Sequence, residues 1–167
     1  FPFYEPRLGQ LEIIQDIQLP IGAGFGTSAA SALSLSLSLN EFFDYGYSYN
    51  ECGQIAHKAE VFLGGGLGDV IAQTGSGLVL RTVPGAPGIG EIESLDEKLF
   101  VATKFFGEID TASIINDCER KKIISANGHE CLEKYKKNIS VENFLRLSFE
   151  FSQNIKLMTD EVQSLVN

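Results

Sequence analysis

The sequence predicts an α+β chain, and three observations support this. Strand-like segments rich in β-branched residues occur at 10–19, 78–83 and 99–105. Helix-compatible stretches at 27–44 and 48–63 follow the first strand, and the last third is almost wholly helical. Strand and helix periods therefore come in runs rather than in strict alternation, the pattern of an α+β architecture. A glycine-rich turn, Pro20-Ile21-Gly22-Ala23-Gly24-Phe25-Gly26-Thr27-Ser28, joins the first strand to the first helix.

Residues 1–9 are irregular, broken by Pro2, Pro6 and Gly9. Segment 10–19 carries Ile13, Ile14 and Ile17 and reads as a strand that delivers the chain to Pro20. In 27–44, Leu33, Leu35, Leu37 and Leu39 alternate with serines, which by itself would argue for a strand. Length and the early alanines overrule that period, because the run continues to Asp44 without Gly or Pro. A broadly buried helix is expected, with its serines bonding to carbonyls one turn back. Ser48 reads as an N-cap, with Glu51 completing a capping box. The helix it starts runs to about Leu63 and places Ile55, Ala59 and Phe62 at core spacing. Glycines 64, 65, 66 and 68 end it, and Asp69 opens a short helical turn.

Residues 78–83 form the next strand, and Pro84-Gly85-Ala86-Pro87-Gly88 is a stiff loop and a candidate domain boundary. A further strand is expected at 99–105, then helices at 111–124, 127–137, 141–154 and 157–166, divided near Asn127-Gly128, Asn138 and Asn154. Phe42, Phe43, Phe144 and Phe149 read as core. The runs 119–122 and 134–137 read as solvated helix faces, and His129 has no evident partner.

A chain of 167 residues holds one good core or parts of two domains. The apolar content of 44% marks it as globular, and a net charge of −9 argues against general nucleic-acid binding. Cys52, Cys118 and Cys131 form no metal-ligand spacing, so small buried, reduced thiols in a cytoplasmic protein are expected. No apolar run reaches membrane-spanning length and no signal peptide is recognisable. Phe1 in place of an initiator Met suggests that the chain begins inside a longer protein.

The glycine loop suits an anion. Glycine accepts positive φ and lets a ligand approach bare N–H groups, and a helix starting near Thr27 adds its positive dipole end. It is not a Walker A loop, since no Lys precedes Thr27, and GxGxxG cannot be threaded through Gly22, Gly24 and Gly26. Two carboxylates sharpen the reading. Taken singly, Glu60 reads as an exposed helix charge and Asp69 as an N-cap. Beside a phosphate loop, one can hold Mg²⁺ and the other can orient or deprotonate an attacking hydroxyl.

At this point the residues show a family resemblance. PIGAGFGTSAAS resembles the ATP-binding motif of the GHMP kinases, P-x-x-x-G-L/F-G-S/T-S-A, shared by galactokinase and the homoserine, mevalonate and phosphomevalonate kinases. Ala56-His57-Lys58-Ala59-Glu60, Gly66-Leu67-Gly68-Asp69-Val70 with Ala72-Gln73, Arg81 and Pro84–Gly88 are most similar to the archaeal pantoate kinases. Thr111–Ile115 and Phe144–Ser148 extend that likeness over nearly the whole chain.

The resemblance implies a GHMP-kinase fold: a ribosomal protein S5 domain 2-like N-terminal domain over residues 1–92 and a ferredoxin-like C-terminal domain over 93–167, both incomplete. It implies that Pro20, Gly22, Ala23, Gly24, Phe25, Gly26, Thr27 and Ser28 bind ATP. Ser28 and Glu60 would hold Mg²⁺, and Asp69 and Glu60 would be catalytic. His57 and Arg81 would bind pantoate, the guanidinium gripping its carboxylate. The implied activity is phosphorylation of pantoate to 4-phosphopantoate for coenzyme A. Another small-alcohol GHMP kinase and a non-catalytic nucleotide-binding protein are the alternatives. No nucleic-acid or membrane partner is expected, and a homodimer is left open. The family's first motif and its last glycine-rich motif are missing, and the glycine run at 64–66 is looser than the pattern, which would make the approach to Asp69 mobile.

Overall fold

Small side chains allow the first two helices to pack closely. The computed structural model describes residues 11–107 and 117–166. Helix α1 (Thr27–Phe43) packs on α2 (Tyr49–Leu63) and on the single turn α3 (Asp69–Ala72). Ala29, Leu33, Ala56 and Val70 form their shared core, with Ala32 and Leu37 at its edge. The serines of α1 divide between two roles. Ser34 Oγ donates back to the Ser31 carbonyl as expected, while Ser36 Oγ crosses to the Cys52 carbonyl of α2 at 2.9 Å.

The capping box of α2 is present: Glu51 N–H donates to Ser48 Oγ and Ser48 N–H donates to the Glu51 carboxylate. The buried face is not the predicted one. Cys52, Gly53, Ala56 and Glu60 are buried, whereas Ile55 is 46% and Phe62 88% exposed. Large side chains on the inner face would hold α1 and α3 away. Small residues win that face, and a carboxylate completes it.

Strands β1 (Leu78–Val83) and β2 (Glu91–Leu95) form an antiparallel hairpin, pairing Leu78 with Leu95 and Arg81 with Ile92. The second strand therefore lies at 91–95, and 99–105 has no regular structure. The loop chooses the partner. Its bonds from Ile89 N–H and Gly90 N–H to the Ala86 carbonyl turn the chain back at once. A Cβ on Gly85 would lie 2.5 Å from Gly90 N, so this turn excludes a side chain there. The Pro84–Gly88 stretch is thus a hairpin loop, and it docks onto α2. Pro87 is buried against Gly53, and Gln54 Nε2 donates to the Pro87 carbonyl at 3.0 Å.

Residues 11–19 are not a strand; among the described residues they have no ladder partner. Gln15 Nε2 donates to the Ser31 carbonyl, and Ile13, Ile14 and Ile17 stay exposed. Phe42 is 69% exposed rather than core, while Phe43, Phe144 and Phe149 are half-buried.

Helix α4 (Cys118–Lys137) runs unbroken through Asn127-Gly128 and packs on α5 (Val141–Asn154). Asn127 Nδ2 donates to the Ile123 carbonyl within the helix, and the bare Gly128 faces Phe151. The predicted segment 111–116 lies outside the described residues. Helix α6 (Asp160–Val166) starts later than expected, after Lys156 at φ 54. Cys118 is exposed rather than buried, and all three cysteines are free. The 134–137 run is not wholly solvated: Tyr135 is buried edge-on to Phe144, and Lys134 Nζ bridges Glu130 (3.0 Å) and Glu150 (2.6 Å). No helix among the described residues is long and apolar enough to cross a membrane.

Two outcomes follow from this packing. A Cβ at Gly53 would lie 2.7 Å from Pro87 Cγ. Gly53→Ala should therefore cost about 1–3 kcal/mol through overpacking, measured by urea unfolding. The second concerns pH. Hydrogen bonding from Lys134 holds the Glu150 carboxyl below the usual range, and bonds to Glu150 and Glu130 push Lys134 up to about 12. The Glu150 contribution is present above the ordinary carboxylate pKa and lost as pH falls through the lowered value. The Lys134 contribution is lost as pH rises through about 12. Urea midpoints of Glu150→Gln across the acid range should fall less on acidification than those of the parent protein.

Candidate active site

The loop before α1 is built from left-handed glycines. Gly22, Gly24 and Gly26 have φ of 75°, 77° and 65°. Each would strain a residue with a side chain. Gly26 is the N-cap of α1, and no side chain among the described residues caps it. The first N–H groups of α1 and its positive dipole end are thus left for a ligand. The two faces of the loop differ. A Cβ on Gly24 would meet no described atom within 4 Å, so that side is open. A Cβ on Gly26 would lie 2.8 Å from Gln73 Nε2 and 3.9 Å from Asp69 Cβ, so that side is filled by α3.

Glu60 comes from the last turn of α2 and is only 4% exposed. Ser28 Oγ donates to its Oε2 at 3.0 Å, and Gly66 N–H donates to the same oxygen at 3.2 Å. The glycine run moulds itself to both carboxylates. A Cβ on Gly65 would lie 2.6 Å from Glu60 Oε2, and one on Gly66 would lie 2.7 Å from Asp69 Cγ and overlap its Oδ2. Gly65 and Gly66 thus lie close against the two carboxylates, while Gly64, at φ 72, is the left-handed C-cap of α2. Asp69 is the first residue of α3 and its side chain is exposed.

Arg81 of β1 reaches the same loop. Its Nη1 donates to the Leu67 carbonyl at 2.7 Å, and a Cβ on Gly68 would lie 2.9 Å from that nitrogen. His57 is half-buried, and its Nδ1 is buried with no hydrogen-bond partner among the described residues. The structure thus brings Ser28, Glu60, Asp69 and Arg81 onto the walls of one glycine-rich turn, with the phosphate-type loop beside Asp69. Sequence reasoning missed Gln73 as a site residue, although its place four residues after Asp69 puts it on the same face of the turn.

No group of three His, Cys, Asp or Glu among the described residues could hold a metal. One buried carboxylate with one hydroxyl instead suits Mg²⁺, which keeps waters and is completed by phosphate oxygens. Two grooves lie to the sides. One, about 730 Å³, separates residues 11–19 from α1. The other, about 630 Å³, runs from Arg81 and Thr82 to His129, Cys131 and Ser148, which gives His129 a surrounding that the sequence did not suggest.

A family profile described as "GHMP kinases N terminal domain" matches residues 3–77. That stretch is thus similar to the N-terminal domain of the GHMP kinases. The chain is 40% identical to a pantoate kinase of Methanocaldococcus jannaschii, over 92% of its own length and 56% of the relative's. It is 35% identical to a pantoate kinase of Thermococcus kodakarensis, over 95% and 52% respectively. A solved structure described as "Phosphotransferase related to CoA biosynthesis pathway" superposes with a TM-score of 0.70 at 30% identity, covering 89% of this chain and 48% of that one. The chain therefore spans about half the length of the relatives it matches. The expected α+β GHMP fold is borne out, with mixed helices, a small antiparallel sheet and a partial domain.

The Ser28–Glu60 bond can be tested without a ligand. Ser28→Ala leaves a buried carboxylate short of one donor, so the protein should lose about 1–3 kcal/mol in urea unfolding. An unchanged midpoint would mean that Glu60 is not held by Ser28.

Proposed function

We propose that this chain is the ATP-binding and acceptor-activating part of a pantoate kinase. The γ-phosphoryl group of ATP passes to the 4-hydroxyl of pantoate, giving 4-phosphopantoate on the route to coenzyme A. The observation that carries this reading is the closeness of Asp69 to Gly26, where the loop turns into α1. A carboxylate there lies on the acceptor side of a phosphate cradle. The names of the curated relatives support pantoate as that acceptor.

In this reading the N–H groups of the Gly22–Ser28 loop and the start of α1 hold the ATP phosphates. Ser28 and Glu60 would hold Mg²⁺, which when bound neutralises charge on the phosphates. The pantoate hydroxyl oxygen forms the new bond to the γ-phosphorus, the bond to the β–γ bridging oxygen breaks, and ADP leaves. Asp69 orients the hydroxyl and takes its proton. Arg81, with Nη1 already on the Leu67 carbonyl, keeps its remaining N–H groups for the pantoate carboxylate. His57, with its unpartnered Nδ1, is a second pantoate contact. In this reading the stretch to about residue 92 belongs to the ATP-binding domain and the stretch from 93 to the second.

The test is a panel of pantoate, homoserine and mevalonate offered to the intact protein with ATP and Mg²⁺, read by ADP release. Pantoate should be the substrate turned over, and turnover of mevalonate without pantoate would overturn the assignment. Asp69→Asn should lower kcat by about 10²–10⁴-fold while KM for ATP holds.

A further inference from the structure

We propose that Gln73 is a positioning residue that locks the phosphate loop to the turn carrying Asp69, an inference that rests on the kinase reading above. Its Nε2 donates to the Gly26 carbonyl at 2.9 Å, across 47 residues of chain. A carbonyl can only accept, so the amide nitrogen is the end that faces it. The same carbonyl takes the Ala30 N–H at 3.0 Å, which opens the hydrogen-bond ladder of α1. Gln73 N–H meanwhile donates to the Asp69 carbonyl at 3.0 Å, closing α3. One residue thus joins the last peptide of the loop to the turn that begins with Asp69.

The amide end of Gln73 lies close against the Gly26 backbone. Gly26 sits at φ 65, which strains any residue with a side chain, and a Cβ there would lie 2.8 Å from Gln73 Nε2. The N-terminus of α1 has no capping side chain among the described residues, and Gln73 holds it from the carbonyl side while its first N–H groups stay open. In-line phosphoryl transfer is sensitive to such an anchor, since a misplacement of about 1 Å can cost about 10²-fold in rate. Gln73 touches no reacting atom in this scheme; it sets where Asp69 stands relative to the phosphates.

The experiment compares intact parent protein with Gln73→Leu and Gln73→Glu, reading kcat, KM for ATP, KM for pantoate and the thermal midpoint. Both variants should lose kcat by about 10–100-fold, with KM for pantoate unchanged. Gln73→Glu keeps the shape but has no donor while ionised. Its kcat relative to the parent should recover as pH falls through the carboxyl range, because the protonated acid can donate again. A lower melting point alone would not produce that recovery. Parent-like kcat for Gln73→Glu at neutral pH, or a loss with no recovery on acidification, would overturn the role of Gln73 and leave the kinase reading standing. Absence of ATP-dependent pantoate turnover by the parent protein would overturn that reading, and this inference with it.

Discussion

Burial of one carboxylate organises this molecule. Glu60 is almost wholly withdrawn from water at the end of α2. A charge in that place needs donors on the spot, since leaving it unsatisfied costs several times what an ordinary hydrogen bond contributes. Ser28 and the Gly66 N–H supply them. Each donor imposes a condition on the chain. Ser28 must sit in the first turn of α1, directly after the left-handed glycines. Gly66 must fold back over α2, and a Cβ at 65 would crowd the Glu60 carboxylate while one at 66 would crowd Asp69. The glycine loop before α1 and the glycine run after α2 are therefore two answers to one constraint.

The rest of the structure holds those two loops together. Small residues on α1 and α2 bring the helices close enough for Ser28 to reach Glu60, and Val70 seals the third side. The hairpin contributes from outside. Its loop docks Pro87 on Gly53, while Arg81 grips the Leu67 carbonyl ahead of Asp69. Gln73 closes the circuit from α3 back to Gly26. A phosphate-type loop, a buried carboxylate and an exposed one are thus connected by short bonds through at most a few residues. That is the preorganisation that phosphoryl transfer asks of a protein, because positioning and electrostatics supply most of its catalysis.

Much of the site was legible in the chain, and its errors share one cause. The Gly22–Ser28 loop, the α1 boundary, the Ser48–Glu51 box and the carboxylates at 60 and 69 are all local signals: glycine φ, cap chemistry and charge next to a break. The misjudged features depend on partners far along the chain. Apolarity pointed to Ile55, Ala59 and Phe62 as the inner face of α2, yet close helix packing selected Cys52, Gly53, Ala56 and Glu60. The isoleucines at 13, 14 and 17 have strand character but no ladder partner among the described residues. β2, carrying Glu91 and Glu93, has little strand character but is paired by the turn before it. Asn127-Gly128 would weaken an isolated helix; here the helix runs through it, with Asn127 bonded to the Ile123 carbonyl and Gly128 packed beside Phe151 of α5.

Sequence by itself determined where the chain can turn, cap and accept an anion, because those properties belong to single residues and their immediate neighbours. It also determined that two carboxylates flank one glycine-rich break. Tertiary structure alone decided that Glu60 is buried while Asp69 is exposed. It also decided that Gly65 and Gly66 pack against the two carboxylates, and that Gln73 reaches Gly26 across the fold. Burial, close approach and long-range hydrogen bonds depend on which surfaces meet, and that is settled only when the helices and the hairpin have packed.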